Sequence, residues 1–234
     1  VYRNAGIPVE FVGHPLVDLA KSRTARATLL LELGLVPTVP TVTLLPGSRP
    51  NEVRRLLPIL FEAARITATR VPEVQFILAR APNLEDSLFS SLMRWREPWC
   101  PAVIEARTDD ALSAADVVAT ASGTATVQAA IHGRPMVIVY RVSPLTYAIG
   151  RRFVRVDNYG MVNLIAGGPI VPELIQERCT ASAVAKEIVS YLTDHNRTKR
   201  TKASLQIVRE RLGGSGASGR AAQAVLKVAV RSRR

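Results

Sequence analysis

The chain has 234 residues, 47% of them apolar, enough for a buried core in one large domain or two small ones. Thirty-one Lys and Arg against nineteen Asp and Glu give a net charge of +12, which favours anionic partners: nucleotides, phosphorylated sugars, nucleic acid or an acidic membrane face. No apolar run approaches the roughly 18 residues of a membrane-spanning helix, Val1–Gly13 lacks the layout of a signal peptide, and the two cysteines, Cys100 and Cys179, rule out a disulfide framework or a cysteine zinc site and suit a reducing cytoplasm.

In chain order the pattern alternates between short apolar runs and helical periodicity. A strand is expected at Val9–Val12, a helix near Thr24–Leu33, a strand at Thr41–Leu45, and a helix over Asn51–Arg70. Then come strand Val74–Ala79, helix Leu84–Trp95, strand Ala102–Glu105, helix Asp109–Ala114, strand Asp116–Thr120, helix Thr124–His132 and strand Pro135–Tyr140. After Tyr140 the pattern turns helical: Leu145–Val156, Val171–Gln176, Ala181–Thr193 and about Lys199–Leu212. A glycine-serine run, Gly213–Gly219, reads as a linker before a last short basic helix. The strands are continuous apolar runs, as when helices cover both faces. Repeated βα units of this kind predict an α/β fold with a doubly wound, Rossmann-like parallel sheet.

Ligands of such sheets sit beyond the carboxyl ends of the strands, and two polar breaks lie there. In "LLPGSRPNEV" (44–53), Pro46-Gly47 turns the chain, Ser48 or Arg49 can cap a helix, Pro50 suits its first position and Glu52 its dipole. Arg49 can grip a phosphate from this loop, or it can be a solvated arginine beside a cap. In "ASGTATVQAA" (121–130), Ser122, Gly123 and Thr124 open a helix whose free N–H groups suit an anion. Gln128, one turn on, can reach ribose hydroxyls. The same three residues also make an ordinary N-cap, and neither a P-loop nor a dinucleotide fingerprint is present.

A third stretch, "VDNYGMVNLIAGGPIVPELIQERC" (156–179), gathers Asn158, Asn163, Glu173 and Gln176 around a glycine-containing loop. These groups suit a sugar nucleotide, or turns and a helix cap at Glu173. His14, His132 and His195 lack metal-ligand spacing, so no metal is expected. No nucleophile elbow surrounds a serine, and Asp109-Asp110 reads as a helix start.

Together "FVGHPLVD" (11–18), the two breaks, "PMVIVYR" (135–141) and "VNLIAGGPIVPELIQ" (162–176) resemble, in this order, the lipid-A-disaccharide synthases, glycosyltransferases of the GT-B fold. The resemblance implies transfer of 2,3-diacylglucosamine from UDP to 2,3-diacylglucosamine 1-phosphate, giving lipid A disaccharide 1-phosphate and UDP, with no cofactor. It implies Arg49 and Asn163 in catalysis, and Gly47, Ser48, Arg49, Ser122, Gly123, Thr124, Gln128, Asn163 and Glu173 at the substrate. Gln128 stands where the family commonly has Glu; the amide loses a charge-assisted bond to ribose but keeps a donor and an acceptor. Residues 1–20 resemble the end of an N-terminal domain, 21–212 the UDP-sugar-binding domain, and 213–234 a linker and crossover helix. The acceptor site and general base are then expected in an N-terminal half. Partners implied are UDP-2,3-diacylglucosamine, an acidic lipid acceptor, the cytoplasmic surface of a Gram-negative inner membrane, and a second copy or a separate N-terminal half. Rival readings are a UDP-N-acetylglucosamine epimerase or a peptidoglycan glycosyltransferase of the same fold, and a basic nucleic-acid-binding module. The Asn163–Gly167 wording argues against the first two, and the lack of aromatic stacking motifs against the third.

Overall fold

Six apolar runs pair into one parallel sheet in the computed structural model, which describes residues 5–90, 97–142 and 158–231. The strands are β1 (Thr41–Leu45), β2 (Gln75–Arg80), β3 (Ala102–Glu105), β4 (Val117–Ala121), β5 (Met136–Tyr140) and β6 (Glu173–Ile175). Their spatial order is β3-β2-β1-β4-β5-β6, and every neighbouring pair is parallel. Val42 lies opposite both Phe76 and Val117, so β1 is central. The chain winds outward from β1 to β3 and then returns to place β4 on the other side. That reversal leaves a crevice between the ends of β1 and β4, the ligand position of doubly wound sheets.

Each face of the sheet buries its own layer. Val42 and Leu44 point to α3 (Pro50–Arg70) and α7 (Ala181–Thr193), packing with Leu56, Leu60, Val184 and Ile188. Leu45, Ile77 and Val118 point the other way, to α2 (Arg26–Glu32), α4 (Thr108–Ala114), α5 (Thr124–Ile131), α6 (Met161–Ala166) and α8 (His195–Arg211). Each fully buried Leu or Ile stabilises the layer by about 1.5–3 kcal/mol. The buried hydroxyl of Thr43 donates to the Ala111 carbonyl at 2.9 Å, so this polar group is satisfied inside the layer. Two helices start on side-chain caps: Thr180 accepts from Ala183 N and Asp194 from Arg197 N. The Asp194 cap starts α8 four residues before the expected Lys199.

Asp110 fastens the segment before α2 to α4. Its carboxylate accepts from Ser22 Oγ (2.9 Å), Arg23 N (2.6 Å), Thr24 N (3.1 Å) and Arg107 Nε (2.8 Å). Burial alone would raise its pKa; the bonds from Arg107, Arg23, Ser22 and Thr24 outweigh that and hold it at about 2.

Several expectations are corrected. Val9–Val12 forms no strand: Val9 is 44% and Phe11 63% exposed, and no described sheet edge pairs with them. Val171–Gln176 is not helical. Pro172 precedes a short edge strand, β6, followed by a 3-10 turn at Gln176–Arg178, because proline is tolerated at a strand's start and tertiary pairing decides short apolar runs. Of the helix expected at Leu84–Trp95, the described part is one 3-10 turn, Asp86–Leu88, where the Arg80 guanidinium holds the Leu84 carbonyl and Asp86. Residues 91–96 and the whole expected helix Leu145–Val156 lie outside the described residues.

The glycine-serine run is shorter than expected, since α9 (Ala217–Arg231) already includes Gly219. It is also clasped. Arg220 donates to the carbonyls of Val12, Gly214 and Ser215, His14 N donates to Leu212 O at 2.8 Å, and Gly216 N to Asp18 at 2.8 Å. The short helix α1 (Leu16–Leu19) continues from this clasp, and Leu16 and Val17 pack beside Val127 and Ile131 of α5.

Candidate functional site

A cleft of about 280 Å³ opens at the β1/β4 reversal. Its walls are the loop after β1, the loop after β4 and the first turns of α5, with Ala79 and Thr108 at the side. Six residues singled out in the sequence, Gly47, Ser48, Arg49, Ser122, Gly123 and Thr124, line it, and so does Gln128.

On the β1 side the backbone at Gly47 has φ +113°, and a Cβ there would lie 2.5 Å from Glu52 Oε2. Both facts require glycine. Neither Ser48 nor Arg49 caps α3 through its side chain. Instead Glu52, in the first turn, reaches back: its Oε2 accepts from Ser48 N at 3.2 Å and its Oε1 from Arg49 Nη1 at 2.8 Å. Arg49 remains 78% exposed. It is a tethered guanidinium facing an open cleft, free to exchange one carboxylate for a better-placed anion. Glu52 thus lines the cleft and holds Ser48 and Arg49 in place, though the sequence shows it only as a match for the helix dipole.

On the β4 side, Ser122 N continues the sheet by donating to Val139 O at 3.0 Å, and its Oγ donates to Tyr159 O at 3.1 Å. Ser122 therefore shapes the wall, and its N–H is not free as the sequence suggested. Gly123 sits at φ +150°, ψ −159°, a region essentially closed to residues with a Cβ. The next N–H groups, those of Gly123, Thr124 and Ala125, donate to no other described residue. They form the uncapped positive end of α5 at the cleft floor. Gln128 lies one turn in and is engaged: Nε2 donates to Asp109 at 3.2 and 3.3 Å, while His132 Nε2 meets Asp109 Oδ1 at 3.0 Å. Asp109 thus engages the donor end of the amide and leaves Oε1 without a bond to any described residue. Asp109 and His132, which the sequence presents as a helix start and a helix end, belong to this cluster; their helices meet only in the fold.

Asn163 and Glu173 are not brought to the cleft. Asn163 is fully buried; its Oδ1 accepts from Ile170 N (3.0 Å) and Val171 N (3.1 Å), and its Nδ2 donates to Val171 O (2.9 Å) and Glu173 Oε1 (2.7 Å). Glu173 in turn accepts from Tyr159 N at 2.7 Å and Gly160 N at 2.9 Å, capping α6 from the sheet edge. The direct substrate role expected of Asn163 meets a side chain whose amide hydrogen bonds are all internal. The pair instead holds the Tyr159–Gly160 turn against which Ser122 is bonded. Gln176 is buried at φ +52°, and its amide pairs with the Val142 backbone at 2.7 and 3.3 Å. Among the described residues no group of three or more His, Cys, Asp and Glu side chains is placed to hold a metal, and no helix is long and apolar enough to cross a membrane.

The chain is similar to known proteins both in fold and in sequence. In fold, the chain is similar to the Anabaena protein Alr3699/HepE solved in complex with UDP-glucose (TM-score 0.58, 17% identity, 90% of this chain and 55% of that one). It is likewise similar to the spinosyn forosaminyltransferase SpnP (TM-score 0.53, 17% identity, 84% and 45%). In sequence, it is 43% identical over 227 residues to the lipid-A-disaccharide synthase of Geobacter metallireducens, covering 97% of this chain and 59% of that protein. The lipid-A-disaccharide synthase of Syntrophus aciditrophicus is 40% identical over 232 residues, covering 99% and 61%. The chain thus spans about three fifths of the length of these curated relatives. The family model for lipid-A-disaccharide synthetase matches residues 1–228. With nearly the whole chain matched by that model, this chain belongs to the lipid-A-disaccharide synthetase family.

Proposed function

We propose that this chain is the donor-binding part of a glycosyltransferase that moves 2,3-diacylglucosamine from UDP to 2,3-diacylglucosamine 1-phosphate. The observation that carries the proposal is the cleft at the β1/β4 reversal, where Arg49 faces the uncapped N–H groups of α5. In the reaction the bond from the sugar's anomeric carbon to the UDP phosphate oxygen breaks. A new bond forms from that carbon to the acceptor's hydroxyl oxygen, and the hydroxyl proton passes to a base. Charge accumulates on the departing diphosphate, and donors fixed before the reaction stabilise it without reorganising. The Gly123–Ala125 N–H groups are such donors, Arg49 joins them once it has exchanged Glu52 for the diphosphate, and Gln128 holds the ribose. Asn163 and Glu173 act one layer back, through the Tyr159–Gly160 turn. The acceptor site and the base are assigned to the portion of the relatives that this chain does not span, and the acylated substrates assign the work to the inner-membrane surface.

Calorimetric titration with UDP tests the reading. Saturable one-site binding is expected, weakened by Arg49→Ala. Salt-sensitive RNA binding with no UDP binding at all would instead favour the nucleic-acid reading.

A further inference from the structure

Resting on the assignment of the cleft to a nucleoside diphosphate, we infer that Asp109 is a positioning residue that fixes which end of the Gln128 amide meets the ribose. A carboxylate can only accept hydrogen bonds, so the amide nitrogen must be the end that faces Asp109. Both Oδ1 and Oδ2 take that nitrogen, at 3.2 and 3.3 Å. The carboxylate is itself held: His132 Nε2 lies 3.0 Å from Oδ1, and the same acceptor-only logic puts a hydrogen on that nitrogen. His132 and Asp109 are both largely buried, with side chains 11% and 24% exposed. Oε1 of Gln128 bonds to no described residue and is left for the cleft that Gln128 lines. The amide is thereby presented as an acceptor, and what it selects is a ligand hydroxyl.

This arrangement has a specific consequence for substitution. A glutamate at position 128 would set a second carboxylate against Asp109, where two negative charges within hydrogen-bond distance repel. Gln128→Glu therefore weakens nucleotide binding as long as Asp109 is present, although a carboxylate is in itself the stronger acceptor for a hydroxyl. Combining it with Asp109→Asn puts an amide donor opposite the new carboxylate and reverses the sign.

The test is a double-mutant cycle read by calorimetry with UDP and with 2′,3′-dideoxyuridine diphosphate, which lacks the ribose hydroxyls. The wild-type chain is expected to favour UDP, and Asp109→Ala to weaken UDP binding roughly fivefold while leaving the dideoxy compound unchanged. Gln128→Glu is expected to weaken UDP about tenfold alone, and to regain that loss when combined with Asp109→Asn. Asp109→Asn alone keeps an acceptor for the amide and serves as the folded control. Equal affinity of the wild-type chain for the two nucleotides, or additive effects in the cycle, overturns the role of Asp109 while leaving the diphosphate site standing. Failure of the wild-type chain to bind either nucleotide overturns the nucleotide reading itself, and the inference with it.

Discussion

Arg49 carries its charge on an exposed tether, and its worth is set by what it exchanges. In the free chain it is paired with Glu52 at 2.8 Å in solvent, an arrangement worth little by itself. A bound diphosphate replaces that contact with a charge-assisted bond inside a cleft. Arg49→Ala should therefore weaken UDP binding by about 1.5–3 kcal/mol, the scale of a hydrogen bond to a charged group. Unchanged affinity in a folded variant would leave Arg49 only its tie to Glu52. Asn163 is the contrasting case. Asn163→Leu strands the Ile170 and Val171 N–H groups and the Val171 carbonyl in a buried layer, and should destabilise the fold by about 3 kcal/mol or more. Thermal melts decide this: an unshifted midpoint would mean that the buried network is dispensable.

Among the elements, the junction of α4 with the segment before α2 has the clearest electrostatic signature. The Asp110 pKa is depressed to about 2, so its charged form is better stabilised in the folded chain than in the unfolded one. Its stabilisation is fully present above the unfolded value near 3.9 and is lost as pH falls through the folded value. Asp110→Asn should cost about 2 kcal/mol at neutral pH, and its deficit relative to wild type should shrink below about pH 4. Denaturant unfolding of both proteins checks this; a pH-independent difference would assign the loss to packing. The same scale shows what periodicity can and cannot reveal. Two strands, Thr41–Leu45 and Ala102–Glu105, match expectation residue for residue, and β2, β4 and β5 do so within one residue, because continuous apolar runs under helices can be recognised without knowing their partners. β6 is not legible because Leu174 and Ile175 are too few to distinguish strand from helix. Val9–Val12 misleads because an apolar run states a preference for extension without saying whether a neighbour exists.

For the molecule as a whole, binding and turnover should separate. UDP should raise the melting temperature, since a ligand selective for the folded state stabilises it by mass action. Disaccharide formation from both lipid substrates should be negligible, because acceptor positioning and proton removal each contribute large rate factors and are assigned outside this chain. Robust turnover by the purified chain would refute that division. At this scale the cleft loops are legible in the sequence, since Pro46-Gly47 and Ser122-Gly123 are breaks that no buried helix or strand tolerates. The Asp109–Gln128–His132 cluster is not, because Asp109 belongs to α4 while Gln128 and His132 belong to α5 and its cap, and neither is the internal pairing of Asn163 with Glu173, because a buried amide and a ligand-binding amide are spelled alike. The clasp formed by Arg220 has a mechanical meaning. The chain's way in, at Val12–His14, and its way out, at Leu212–Arg220, share one set of bonds, and α1 beside them leans on Val127 and Ile131 of the helix that floors the cleft. A shift at that stem is expected to reach α5 through this packing, and such a coupling acts equally in the reverse direction. Amide exchange along α5 should slow on adding UDP and quicken in Arg220→Ala, although Arg220 lies outside the cleft; an α5 indifferent to Arg220 would mean that the stem and the cleft turn independently.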